Sequence, residues 1–251
     1  SKVKHNATIY KQECIATDVY SIWLETPIAK EARPGQFIAV YSHDGAKLLP
    51  RPISICEIGP NGLRIVYRIA GAGTKEFSGY KAGDTLSIMG PLGNGFPLKD
   101  EDAIIIGGGI GVPPMLALAK ALNCKKEIVL GYKDELFLNE QFEEYGPVTI
   151  ATDAGTYGTK GTVLDAIKEK GVTGKVIYAC GPKPMLAAIK QYAAENNMTA
   201  WISMEERMAC GIGACLGCVC KTKEVDGHSK VHNTRICADG PVFNAEEVDL
   251  T

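Results

Sequence analysis

"DEDAIIIGGGIGVPPMLALAK", residues 100–120, decides the fold. Its run Ala103–Ile106 is apolar without alternation, the mark of a strand covered on both faces of a parallel sheet. A glycine cluster follows at once (Gly107, Gly108, Gly109, Gly111), then a helical stretch that opens on Pro113 and Pro114. Proline suits a first helical turn, where its missing N–H has no intrahelical partner to lose. A strand that turns tightly into a helix is the first unit of a β-α-β sheet. At such a turn small residues let an anionic group come close to the helix N-terminus.

Toward the C-terminus the rhythm continues. The strand candidates "EIVLGY" (127–132), "PVTIAT" (147–152), "KVIYAC" (175–180) and "TAWISM" (199–204) alternate with helical stretches such as 162–170 and 184–197. This predicts a doubly wound parallel sheet over residues 101–203. Toward the N-terminus the pattern differs. Six short β-type runs at 7–17, 19–26, 35–42, 51–58, 62–70 and 84–90 are separated by Pro, Gly, Asn and Asp turns, which predicts a small antiparallel barrel over residues 1–100. A domain boundary is expected near Asp100. Residues 204–251 hold five of the nine cysteines and too few large apolar residues for a core, so a third, small module is expected there, held together by something other than hydrophobic burial.

The composition, 45% apolar and 22% charged with a net charge of −2, is that of a globular protein and carries no signature of nucleic-acid or anionic-membrane binding. The first residues contain no apolar core of signal-peptide length, and no 18-residue apolar run occurs. A cytoplasmic location is the expectation. In a reducing compartment clustered thiols bind metal or do redox work more often than they form structural disulfides.

In the tail, Cys210, Cys215 and Cys218 are spaced C-x4-C-x2-C and Cys237 follows after eighteen residues, the plant-type [2Fe–2S] ligand spacing with a distant fourth thiolate. Gly211, Gly213 and Gly217 let one loop wrap tightly enough for backbone N–H groups to approach sulfur. Structural zinc is the competing reading, although zinc ribbons usually offer two C-x2-C knuckles where this tail has one. His228 and His232 raise the thought of a Rieske centre, which four cysteines at these spacings make unnecessary. Cys220, two residues after Cys218 on an expected strand, is read as a packed bystander.

The glycine turn is not the standard dinucleotide fingerprint. Val112 stands where the last glycine of G-x-G-x-x-G would be, and the strand 127–132 ends in Tyr132 and Lys133 without the acidic residue that grips a ribose 2′-OH. A second strand-to-helix turn, Cys180, Gly181 and Pro182, should emerge on the same carboxyl edge and face Gly107. Cys180 is read evenly as a group beside a nicotinamide or as ordinary core. Lys133 leaves the choice between NAD and NADP open. No Ser/His/Asp arrangement suggests a catalytic residue, and Glu205, Glu206 and Arg207 are unassigned.

Residues 1–200 resemble the ferredoxin–NADP reductase-like superfamily, in which a flavin-binding barrel precedes a nicotinamide-binding sheet. "RPIS", Arg51, Pro52, Ile53 and Ser54, looks like the superfamily's flavin-contacting segment. Arg68, Ile69 and Ala70, with Gly73 and Thr74, resemble its remaining flavin-binding segments, and "GPLGNGF" (90–96) the linker that closes the barrel. With "EERMACGIGACLGCVCKT" (205–222) and "CADGPVF" (237–243) included, the whole chain is similar to the family of electron-transfer subunits of dihydroorotate dehydrogenase B. The resemblance implies FAD, a [2Fe–2S] cluster and NAD as cofactors. It also implies an FMN-containing catalytic dihydroorotate dehydrogenase subunit as partner, two of each chain forming a heterotetramer in pyrimidine biosynthesis. A neighbouring group, the small subunits of electron-bifurcating NADH-dependent ferredoxin–NADP oxidoreductases, is similar but replaces one cluster thiolate with aspartate. A nicotinamide exchanges two electrons at once and a cluster one, so an intermediary such as flavin is required between them. The rival from another class is a redox-sensing or zinc-binding module whose glycine turns are merely structural.

Overall fold

The computed structural model describes residues 3–43, 49–204, 219–221, 233–235 and 239–251, of which 219–221 and 233–235 are described by their backbone. Six strands, β1 (His5–Ala16), β2 (Val19–Glu25), β3 (Phe37–Tyr41), β4 (Arg51–Ile58), β5 (Gly62–Arg68) and β6 (Thr85–Leu92), close into an antiparallel barrel in the order β1-β2-β5-β4-β3-β6. A short helix, α1 (Ala72–Phe77), fills the connection from β5 to β6. Residues two apart supply the lining: Ala7 and Ile9, Ile22 and Leu24, Ile38 and Val40, Ile53 and Ile55, Leu63 and Ile65, Leu86 and Ile88 all lie in one buried cluster. That is the strand period of two, and closure leaves the barrel no unpaired edge.

The second half carries β7 (Ala103–Gly108), α2 (Val112–Ala121), β8 (Lys126–Tyr132), α3 (Asn139–Phe142), β9 (Val148–Thr152), β10 (Thr159–Lys160), α4 (Val163–Lys170), β11 (Val176–Cys180), α5 (Lys183–Glu195) and β12 (Thr199–Ser203). Ile105, Ile128, Leu130 and Tyr178 pack beneath α2 and α3, while Ile104, Ile106, Val129, Ile177 and Ile202 pack beneath α4 and α5. Helices therefore cover both faces, as the unalternating strands require. Residues 112–119 of α2 are buried throughout, which is why that helix reads as continuously apolar. α4 is bounded by local chemistry instead. Thr162 Oγ1 accepts from the Asp165 N–H, Asp165 Oδ2 accepts from the Thr162 N–H, and Gly171 closes the helix in the left-handed region at φ 61°.

β13 (Val219–Lys221) and β14 (Asn233–Arg235) form a separate antiparallel ladder. Beyond them the chain returns: β15 (Val242–Asn244) pairs antiparallel with β12 and completes a seven-stranded sheet in the order β10-β9-β8-β7-β11-β12-β15. The expected sheet lacked both of its edge strands, β10 and β15. Two and three residues long, they carry too little pattern to read. The barrel and the sheet share their cores. Phe37, Ala39 and Leu92, pointing out of the barrel, join the cluster under α4 and α5, while Val19, Cys56 and Val66 join the one under α2. No helix among the described residues is long and apolar enough to cross a membrane.

Candidate functional site

The strand order places β7 between β8 and β11, so the chain leaves β7 toward one side of the sheet and later returns on the other. At such a switch point the turns at the carboxyl ends of the two central strands diverge and open a crevice for a ligand. The turns here are Gly107–Gly111 after β7 and Cys180–Pro182 after β11. Cys180 pairs in register with Gly107 on one side and with Ser203, the last residue of β12, on the other. The crevice is narrow by construction. A Cβ on Gly111 would lie against the Cys180 carbonyl, 2.6 Å from its carbon and 2.7 Å from the Gly181 nitrogen. A Cβ on Gly107 would come within 2.8 Å of Val112 Cα. Gly109 alone of this cluster has a positive φ, 55°, in open space.

The structure thus brings together the two turns that sequence spacing pairs. It also qualifies the expectation that the α2 terminus cradles an anion. Pro113 and Pro114 remove two of the first-turn N–H groups, and no side chain caps either α2 or α5. What the edge offers is close approach between two small-residue turns rather than a ring of donors. Met185 was not legible as part of this site. Its thioether occupies the space in front of both Gly108 and Gly181, within 2.5 Å and 3.0 Å of where their Cβ atoms would sit. The signal was the pair of glycines, which leaves room for one large side chain.

On the barrel, the three segments expected to hold flavin converge. Arg51 opens β4, and its guanidinium reaches the start of α1, with Nε 3.2 Å from the position of a Cβ on Gly73 and Nη2 3.5 Å from one on Gly71. Gly71 has φ 103°, which an L side chain rarely adopts. Thr74 Oγ1 accepts from the Ala70 N–H at 2.7 Å, tying the end of the β5 segment Arg68, Ile69, Ala70 to the first turn of α1. Ile53 is buried in the barrel, Pro52 is exposed, and Ser54 lies half-buried opposite Phe37. A guanidinium beside Gly73, a residue with no side chain of its own, forms a cradle that suits a phosphate. Any larger side chain at 73 would fill it.

Cys56 sits on the outward side of β4 in the cluster under α2. Burial, only partly offset by Arg64, pushes its thiol up to about 12, so it stays protonated and inert. Arg64 itself, 5% exposed, donates to Ser21 Oγ at 2.8 Å and to Gln141 Oε1 of α3 at 2.6 Å across the barrel–sheet seam, and the Glu57 carboxylate, 3.5 Å from its guanidinium, balances the buried charge.

The expected cluster ligands Cys210, Cys215, Cys218 and Cys237, with Glu205, Glu206, Arg207, His228 and His232, lie outside the described residues. Among the described residues no group of three or more His, Cys, Asp or Glu side chains stands close enough to hold a metal ion. The β13–β14 ladder pairs Val219, next in sequence to Cys218, with Arg235, two before Cys237.

Comparison with known proteins bears on the tail and on the whole chain. Residues 205–249 match the model of the iron–sulfur cluster binding domain of dihydroorotate dehydrogenase B. A dihydroorotate dehydrogenase B (NAD(+)) electron transfer subunit from Caldanaerobacter subterraneus is 43% identical over 98% of this chain and 98% of its own. One from Fusobacterium nucleatum is 42% identical with the same coverage of each chain. Among solved structures, one of an NADH-dependent reduced ferredoxin–NADP oxidoreductase, described for flavin-based electron bifurcation, is 31% identical with a TM-score of 0.87, covering 97% of this chain and 90% of that one. A ferredoxin NADP+ reductase from Neisseria gonorrhoeae, solved with FAD and NADP, has a TM-score of 0.64 at 15% identity and covers 76% of this chain and 91% of that one; it shares the fold.

Proposed function

The chain belongs to the family of dihydroorotate dehydrogenase B electron transfer subunits, and from that premise we propose that it carries electrons from a catalytic dihydroorotate dehydrogenase subunit through a [2Fe–2S] cluster and FAD to NAD+. The observation that carries this reading is an alignment of strand ends. Gly107, Cys180 and Ser203 stand in register on one carboxyl edge, and the cysteine-bearing segment departs directly after Ser203 and Met204. A ligand in the crevice and the base of the cysteine segment are therefore one strand apart. A flavin, when bound, links two-electron exchange with a nicotinamide to one-electron exchange with a cluster.

In this reading Arg51 holds the flavin's phosphate, with Ser54, Arg68, Ile69 and Ala70 beside it and Gly73 and Thr74 closing the cradle. The Gly107–Gly111 and Cys180–Pro182 turns receive the nicotinamide, which they grip through close backbone approach. Cys210, Cys215, Cys218 and Cys237 ligate the cluster. All four positions are cysteine, which favours this reading over the bifurcating small subunits, where an aspartate replaces one of them. Residues 1–100, 101–203 and 204–251 carry the flavin, the nicotinamide and the cluster in a chain that works in the cytoplasm, with residues 242–250 at the end of the third part packed back into the sheet of the second.

The test is anaerobic purification followed by reconstitution. The protein should hold about one FAD and two irons per chain, bleach with NADH, and reduce NAD+ when the catalytic subunit and dihydroorotate are added. Zinc in place of iron, or the absence of isoalloxazine absorbance after reconstitution, overturns the assignment.

A further inference from the structure

The linker between barrel and sheet does more than connect them. On one side it is bonded to the barrel: Gln36 Nε2 donates to the Gly93 carbonyl at 2.8 Å, and the Phe96 N–H donates to the Pro34 carbonyl at 2.9 Å. On the other side Asn94 makes three hydrogen bonds to the stretch that leads out of the cysteine-bearing segment. Its backbone N–H donates to the Gly240 carbonyl at 2.9 Å, its Nδ2 donates to the Val242 carbonyl at 2.8 Å, and its Oδ1 accepts from the Val242 N–H at 3.0 Å. The carboxamide acts as a paired strand would, presenting one donor and one acceptor to one residue. Gly93, at φ 77°, packs so closely that a Cβ there would lie 2.6 Å from Pro241 Cδ and 2.7 Å from the Gly240 carbonyl oxygen.

Met204, where the segment begins, donates its N–H to the Pro241 carbonyl at 2.9 Å. Its entry and exit are therefore tied into one stem, and the stem is held by residue 94. We propose that Asn94 is the positioning residue that locks this stem to the flavin-side barrel and so sets the rate of electron transfer between flavin and cluster. The role rests on the cofactor assignment above, but the anchoring itself does not. An aspartate at 94 can accept from Val242 but cannot donate to it, and an alanine can do neither.

The experiment compares the wild-type holo complex with Asn94→Asp and Asn94→Ala. Two rates are followed after mixing with NADH, flavin bleaching and growth of the reduced-cluster EPR signal, alongside hydrogen exchange at the Val242 amide. Flavin bleaching should be unchanged. Cluster reduction should slow severalfold in Asn94→Ala, because electron transfer weakens as the distance between donor and acceptor grows. The Val242 amide should exchange faster, and Asn94→Asp should fall between the two. If Asn94→Ala fails to load its cofactors, Asn94→Asp carries the same comparison. A fully loaded variant with wild-type cluster reduction, or with wild-type exchange at Val242, overturns the proposal. A wild type without flavin or iron overturns the cofactor assignment instead, and the exchange measurement still decides the anchor.

Discussion

Gly111→Ala isolates the closeness of the two turns from every other property of the glycine cluster. Gly111 has φ −81°, which alanine adopts without strain, so the whole effect is steric. The atoms a Cβ meets are the backbone of Cys180 and Gly181, which cannot swing aside as a side chain can. Overpacking of this kind costs about 1–3 kcal/mol. Taking about 2 kcal/mol, the melting temperature should fall by roughly 4–8 °C for a chain of this length. Two neighbours serve as controls. Gly108→Ala meets the flexible thioether of Met185, and should cost less than Gly111→Ala. Gly109→Ala meets nothing within 4 Å but must hold φ 55°, a conformational cost of about 1 kcal/mol. Differential scanning calorimetry gives the stabilities, and stopped-flow bleaching of bound flavin by NADH gives the function. Gly111→Ala should be slower than either control by up to ~100-fold, since it alone pushes the two turns apart. Equal stability and equal bleaching rates for Gly111→Ala and Gly108→Ala would refute the crevice as drawn.

Four further outcomes are expected. Arg51→Ala should weaken FAD binding about 10- to 100-fold in a fluorescence titration, the loss of one or two charge-assisted hydrogen bonds, while Arg51→Lys retains part of it. Cys218→Ser should abolish the cluster's EPR signal and leave NADH oxidation by artificial two-electron acceptors intact, whereas Cys220→Ser should leave both; the opposite pattern reverses the ligand choice. Backbone and side-chain bonds from Thr162 hold the Asp165 carboxyl below the ordinary carboxylate value. Its contribution to α4 is therefore complete above about pH 4 and fades as the pH drops through the lowered value, a dependence that urea melts should show in the parent and lose in Asp165→Asn. At neutral pH Thr162→Ala should cost about 1 kcal/mol in the same melts.

The barrel and the central strands were legible because each carries a period that physics enforces: alternation where one face is wet, unbroken apolar runs where both faces are covered. The turns at Gly107 and Cys180 were legible as a pair because parallel strands deliver their carboxyl ends to one edge. The return of the chain at Val242 was not. Three residues hold no period, and what fixes them is the ladder with β12 and, at Val242, the carboxamide of Asn94, far away in sequence and read only as part of a linker. Met185 stayed hidden for a related reason, since a methionine near the start of an apolar helix looks like any other core residue until the glycines it faces are placed in space. Arg64 shows the reverse case. Nothing in "GLRIVYRIA" marks Arg64 rather than Arg68 as the buried arginine, because burial there depends on Ser21, Glu57 and Gln141 arriving from other elements.

Val19, Cys56 and Val66 join the buried cluster that holds α2, and Phe37, Ala39 and Leu92 join the one that holds Met204 and Phe243, so barrel and sheet bury apolar side chains together in both. Parting the two along that seam would expose apolar side chains from both, so burial and not the linker alone holds Arg51 and the Gly107 turn in one body.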